Sequence, residues 1–187
     1  MIDINKIVLS FFIFFFSCEE AEYQLNNPSD PFNMDLAPPA LFIHPSERVT
    51  SVNDTFSIEV YGLDLDSLAG AHIAFEYDRG CDADDSENLC NRIDSINPGL
   101  LFIGGNEPII TQDEDEKAKP DIYLFYLPDM YSDQSEGGTG PLAKIYFTAG
   151  TRAGQFELRL AEQTKLRDKN NNDLPINELR GGAVIVE

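Results

Sequence analysis

The feature that most constrains the fold is an alternation of apolar and polar residues with period two. It is clearest in the last fifty or so residues, from Leu142 to Phe147 and again from Phe156 to Leu160. Strands that bury one face and wet the other read this way. The same period recurs in Phe56-Ser-Ile-Glu-Val-Tyr61, with Phe56, Ile58 and Val60 inward, and in Ala71-His-Ile-Ala-Phe-Glu-Tyr77, with Ile73, Phe75 and Tyr77 inward. Leu41 to Ile43, Leu100 to Gly104, Pro108 to Ile110 and Gly182 to Val186 are shorter strand candidates, and Leu63 to Gly70 reads as a turn-bearing connection. No stretch carries a long 3.6-residue apolar period. Many short strands with Gly, Pro and Asn turns indicate an all-β chain, an antiparallel β-sandwich.

One candidate strand differs from the others. In Asp121-Ile-Tyr-Leu-Phe-Tyr-Leu-Pro128 both faces are apolar, with Ile122, Leu124 and Tyr126 on one side and Tyr123, Phe125 and Leu127 on the other. A two-layer sandwich gives a strand only one core face. The second face, with Tyr123, Phe125 and Leu127 as candidate contacts, is therefore expected to form a partner surface; which side points outward is open at this stage.

The N-terminus supplies the domain plan. An apolar run from Ile7 to Phe16 leads to Ser17-Cys18-Glu19-Glu20. The run is too short for the ~20 residues of a membrane-spanning helix and suits a secretory signal. A small residue before a cysteine resembles a bacterial lipoprotein signal, which implies residues 1–17 as signal peptide and Cys18 as the lipidated residue, with the membrane reached through that anchor. The acids just after Cys18 resemble export tags that send lipoproteins to the outer surface, so the expected place is the cell envelope, at the outer membrane or cell surface. Residues 18–39, rich in Pro and Asn, read as a tether. Residues 40–187 are long enough for one domain with a normal core.

Thirteen Lys and Arg against thirty-three Asp and Glu give a formal charge of −20. The candidate signal holds one of each sign, so the rest of the chain keeps the whole deficit. Nucleic acid is excluded as a partner, because phosphate binding needs a basic footprint. The first reading of the acidity is solubility; the second is calcium or a basic partner. With Cys18 assigned to lipid, Cys81 and Cys90 remain as an even pair. Outside the cytoplasm they are expected to form a disulfide closing a ten-residue loop, stabilising by roughly 2.5 to 3 kcal/mol in the chain-entropy model; zinc is the alternative, and no nearby His completes a site.

Three blocks in order then resemble the cohesin domain, a nine-stranded jelly roll that receives dockerin-bearing enzymes in cellulosomes and is related in fold to several carbohydrate-binding modules. They are Leu68-Ala-Gly-Ala-His-Ile-Ala-Phe-Glu-Tyr-Asp78, Gly140-Pro-Leu-Ala-Lys-Ile-Tyr-Phe-Thr-Ala149 with Gly154, and Leu166-Arg-Asp168 through Asp173-Leu-Pro-Ile176 to Gly182-Ala-Val-Ile-Val186. The cysteine loop and the acidic loop after Asp113 depart from the family pattern. The resemblance implies a non-catalytic module with a dockerin-like or other protein partner. A carbohydrate-binding module that captures polysaccharide is the alternative, and a purely structural envelope lipoprotein is a third. No Trp is present, and Tyr61, Tyr123, Tyr131 and Tyr146 are the tyrosines considered for a sugar platform.

No cofactor is required by any of these readings, though calcium is possible. Asp168, Asn170, Asn172 and Asp173 offer oxygens in the way an EF-hand loop begins, but the sixth position is Asp173 and not Gly, and the twelfth is Leu179. An Asn-rich turn between strands explains the same residues and is preferred. No G-x-S-x-G, His-rich metal pattern or Cys/His pair with a plausible base occurs, so an enzyme is not expected.

Overall fold

The computed structural model describes residues 35–82, 84–102, 109–111, 118–126 and 136–187. Cys18, the signal, most of the tether, Leu127 and Tyr131 lie outside them. The compact unit runs from Asp35 to Glu187. Its strands are β1 (Ala40–His44), β2 (Glu47–Thr50), β3 (Thr55–Tyr77), β4 (Arg92–Pro98), β5 (Ile109–Thr111), β6 (Asp121–Phe125), β7 (Glu136–Thr148), β8 (Gly154–Leu160), β9 (Lys165–Asp168), β10 (Asp173–Leu174), β11 (Glu178–Arg180) and β12 (Gly182–Val186).

Strand β3 belongs to both layers. Its first half pairs with β7 on one side and β1 on the other, giving the order β4–β7–β3–β1–β11. Its second half pairs with β6 on one side and with β9 and then β8 on the other, so that β5–β6–β3–β9 forms the opposite layer. Strand β12 lies between β8 and β2. Successive pieces β1/β2, β8/β9 and β11/β12 each act as one interrupted strand, and β3 acts as two. With the two-residue β10 set aside, the remaining eleven segments make a nine-stranded jelly-roll sandwich. Most pairings are antiparallel; β1–β11 and β2–β12 are parallel.

Alternation places the core. Phe56, Ile58, Val60, Ile145 and Phe147 from one layer face Ile73, Phe75, Tyr77, Ile122 and Leu124 from the other. The rings of Phe75 and Tyr77 lie 6.2 and 5.4 Å from that of Phe147, so the layers are in van der Waals contact. Along β8, Phe156, Leu158 and Leu160 are buried while Glu157 and Arg159 are exposed.

Three segments differ from their sequence reading. Leu63 to Gly70 is not a separate connection: β3 runs through it, and positive φ at Asp64 (52°) and Ser67 (56°) with two register shifts lets the strand change layers. Leu100–Phe102 is a 3-10 turn and not a strand, because Phe102 drops into the core (1% exposed) against Tyr126, leaving Leu100 in solvent. Strand β4 has little apolar pattern because it is an edge, and a bulge between Ile93 and Ser95 moves its next inward residue to Ile96.

Candidate functional site

Strand β6 lies between β3 and β5, and its alternation answers which face is outward. Ile122, Leu124 and Tyr126 are in the core, and the Tyr126 hydroxyl donates to the Leu101 carbonyl at 2.8 Å. Tyr123 and Phe125 stand on the outer surface, half-buried. The sheet registers bring distant residues beside them. One row reads Ile109, Tyr123, His72, Lys165, and the next reads Phe125, Gly70, Arg167.

His72 and Tyr123 stack across the strands, centroids 4.6 Å apart and planes within 6°. His72 Nε2 lies 2.7 Å from Asp121 Oδ1, where an Nε2–H donates to the carboxylate. The stack covers one face of each ring, so Tyr123 keeps no more than one face for any other ring.

The next row has no side chain at its centre. Gly70 sits between Phe125 and Arg167, and together with the Asp168–Asn171 turn they border an open groove of about 780 Å³. A Cβ on Gly70 would meet Leu124 O at 3.6 Å, Arg167 Cβ at 3.7 Å and Phe125 Cβ at 3.8 Å, all ordinary contacts. The backbone there is not in the left-handed region. The glycine therefore leaves a notch in the sheet surface that neither sterics nor conformation requires.

The rim is the turn singled out as a possible metal loop. Asp168 Oδ1 accepts from the backbone N–H of Asn170 and of Asn172, each at 2.8 Å, and Oδ2 accepts from Asn172 Nδ2 at 2.9 Å. These donors, the Asn172 side chain foremost, hold the Asp168 carboxyl below the usual carboxylate range. Asn171 takes φ of 63°, and Asp173 faces Arg167 at 3.1 Å. The structure thus joins Asp168, Asn170 and Asn172 through N–H donors and directs Asp173 elsewhere, the bonding of a connecting turn. Among the described residues no three His, Cys, Asp or Glu side chains converge as metal ligands.

Cys81 and Cys90 are disulfide-bonded, with Cα atoms 5.2 Å apart. Within their loop Asp85 accepts from the Asp82 N–H and Asp82 faces Arg152 at 3.8 Å. Gly70, His72, Lys165 and Arg167 were not singled out from sequence as contact residues. Gly70 was read as the end of a turn-bearing connection, so its place inside β3 became visible only in the structure.

No family model matches this sequence, and no curated protein does. Solved structures do match. The sixth cohesin of scaffoldin B from Acetivibrio cellulolyticus, in complex with a Cel5 dockerin, superposes with a TM-score of 0.62 at 16% identity, covering 79% of this chain and 98% of that one. A non-cellulosomal cohesin from Archaeoglobus fulgidus gives 0.59 at 11% identity over 79% and 90%. A type II cohesin from the cellulosome of Acetivibrio cellulolyticus gives 0.58 at 13% identity over 78% and 94%. The fold is of the cohesin type.

Proposed function

We propose that this cohesin-type domain is a non-catalytic protein-binding module whose docking face is the outer surface of β5–β6–β3–β9, with a dockerin-like protein as partner. The observation that carries the reading is the groove itself: two half-buried aromatic side chains beside a glycine-floored notch, on a sheet face that alternation alone would leave polar. The cohesin of scaffoldin B that it resembles was solved with a dockerin, as were two type I cohesins from Clostridium thermocellum. Polysaccharide capture is less well supported, because Tyr123 has one face taken by His72.

Cys18 carries the lipid in this proposal, and the domain stands off the cell envelope on the 18–39 tether. Labelled palmitate entering the wild-type chain in bacteria, but not Cys18→Ala, tests the anchor. For the binding function, the Cys18→Ala chain is titrated by calorimetry with dockerin modules encoded in the same genome. Saturable binding by the wild-type face and its loss in Gly70→Trp are expected. Binding unchanged by Gly70→Trp would show that another surface is used.

A further inference from the structure

We infer that the segment seated in this groove is acidic, presenting an apolar side chain to the Gly70 notch with carboxylates on either side. The inference rests on the reading of the groove as the docking face. The overall charge of −20 points the other way, toward a basic partner, but among the described residues that border the groove the charge is reversed. Lys165, Arg167 and Lys169 all border the groove, and the one acid in the adjoining turn, Asp168, has both oxygens engaged by amide donors.

The two lysines differ from five cations elsewhere, though Arg48 and Arg79 likewise have no ion-pair partner among the described residues. Arg92, Lys144, Arg152, Arg159 and Arg180 each lie within 4.0 Å of a carboxylate of their own surroundings. Lys165 and Lys169 are exposed and have no ion-pair partner among the described residues, despite the excess of acid in the chain. Arg167 is held by Asp173 and by the Asn171 carbonyl, each at 3.1 Å, so it shapes one wall and leaves the ammonium groups as the free donors.

An arriving carboxylate would gain short-range attraction from both lysines. At physiological salt the screening length is about 8 Å, so the repulsion of acids farther around the domain is largely damped while the contacts at the rim are not. A basic segment would meet two like charges at the rim that have no ion-pair partner among the described residues, and no free carboxylate in the turn beside them. Charge complementarity therefore favours the acidic occupant.

The test is selection of a displayed library of random linear peptides on the Cys18→Ala chain, followed by affinity measurement on variants whose thermal unfolding is recorded in parallel. Recovered peptides should carry Asp or Glu on both sides of an apolar residue. Their affinity should fall about tenfold on the double variant Lys165→Glu/Lys169→Glu, two exposed pairs turned from attraction to repulsion, and persist on Lys165→Arg/Lys169→Arg. Neutral or basic peptides that are lost on Gly70→Trp but not on charge reversal would overturn the acidic partner and leave the docking face standing. Peptides indifferent to Gly70→Trp, or none above background, would overturn the face as well.

Discussion

Gly70→Ala should make the domain more stable, an uncommon outcome for a glycine in the middle of a strand flanked on both sides. Glycine there loses more backbone entropy on folding than alanine, which amounts to about 0.5–1 kcal/mol. At Gly99, Gly150, Gly181 and Gly182 that loss is offset by a need for space. At Gly150 an added Cβ would lie 2.5 Å from Leu89 O, 2.9 Å from Cys90 C and 3.0 Å from Asn91 N, all backbone atoms that cannot swing aside. At Gly70 the nearest atoms are at 3.6–3.8 Å and the alanine fits without movement. A gain of about 0.5–1 kcal/mol in a domain of this size raises Tm by about 1–4 °C, whereas Gly150→Ala should lower stability by about 1–3 kcal/mol through overpacking. Scanning calorimetry on both variants measures this directly. A Gly70→Ala domain that melts below wild type would mean that the notch is structurally required, and the argument that it is kept open for a partner would fail.

Acid should weaken the rim and the β11 end. Donors from Asn172 and Asn170 lower the Asp168 carboxyl, and the Ala37 N–H followed by Arg180 lowers Glu178. Because both folded values lie below the unfolded ones, their stabilisation is fully present above the ordinary carboxylate range of about 4 and is lost as pH falls through the folded values. NMR titration of Asn172→Ala should show Asp168 moving back up; an unchanged midpoint refutes the assigned cause. Residues 35–39 should matter to the fold, since Asn177 donates to Pro38 O at 2.6 Å and to Pro39 O at 2.8 Å, and Arg180 donates to Asp35 O at 2.6 Å. A fragment starting at Ala40 should be less stable to urea than one starting at Asp35, by about 1 kcal/mol for the Asn177 bonds, and equal midpoints would count against it. Calcium should leave Tm unchanged relative to EDTA, because Asp168 already accepts three N–H donors; a shift of several degrees would restore the metal reading of the 168–173 turn.

The parts of the fold legible in the sequence are those in which one face of a strand is buried along its length. The two halves of β3, together with β7 and β8, satisfied this and could be oriented from their alternation, whereas β12 was legible only as a short strand. Strand β4 could not, because an edge strand with a bulge exposes Asp94 and Ser95 in succession and has only Ile96 fully inward. Phe102 misled for the opposite reason: burial of a single ring was achieved by a turn, and an apolar run cannot distinguish the two. In the site, Tyr123 and Phe125 were visible as excess apolarity on β6. Gly70, Lys165 and Arg167 were not, since nearly a hundred residues separate the glycine from its arginine neighbour and only antiparallel pairing of β3 with β9 joins them. Overall charge was misleading at that scale, because a sum over the chain hides the excess of Lys and Arg among the described residues that border one groove.

The pairing of His72 with Tyr123 bears on how tightly any partner can bind. A tyrosine free to rotate on an open sheet must be ordered when a partner lands on it, at a cost of about 0.5–1.5 kcal/mol for a mobile side chain. Here the ring is already stacked against His72, and His72 is fixed in turn by Asp121 at 2.7 Å. His72→Phe keeps the stacked partner and discards the bond to Asp121; His72→Ala discards both. If packing orders Tyr123, groove-binding peptides should lose about two- to tenfold in affinity on His72→Ala and much less on His72→Phe. If the hydrogen bond is what matters, the two variants should fall together. Affinity unaffected by either would mean that Tyr123 is ordered by its other neighbour, Ile109, or does not touch the partner, and the docking surface would then contract to Phe125, the Gly70 notch and the β9 rim.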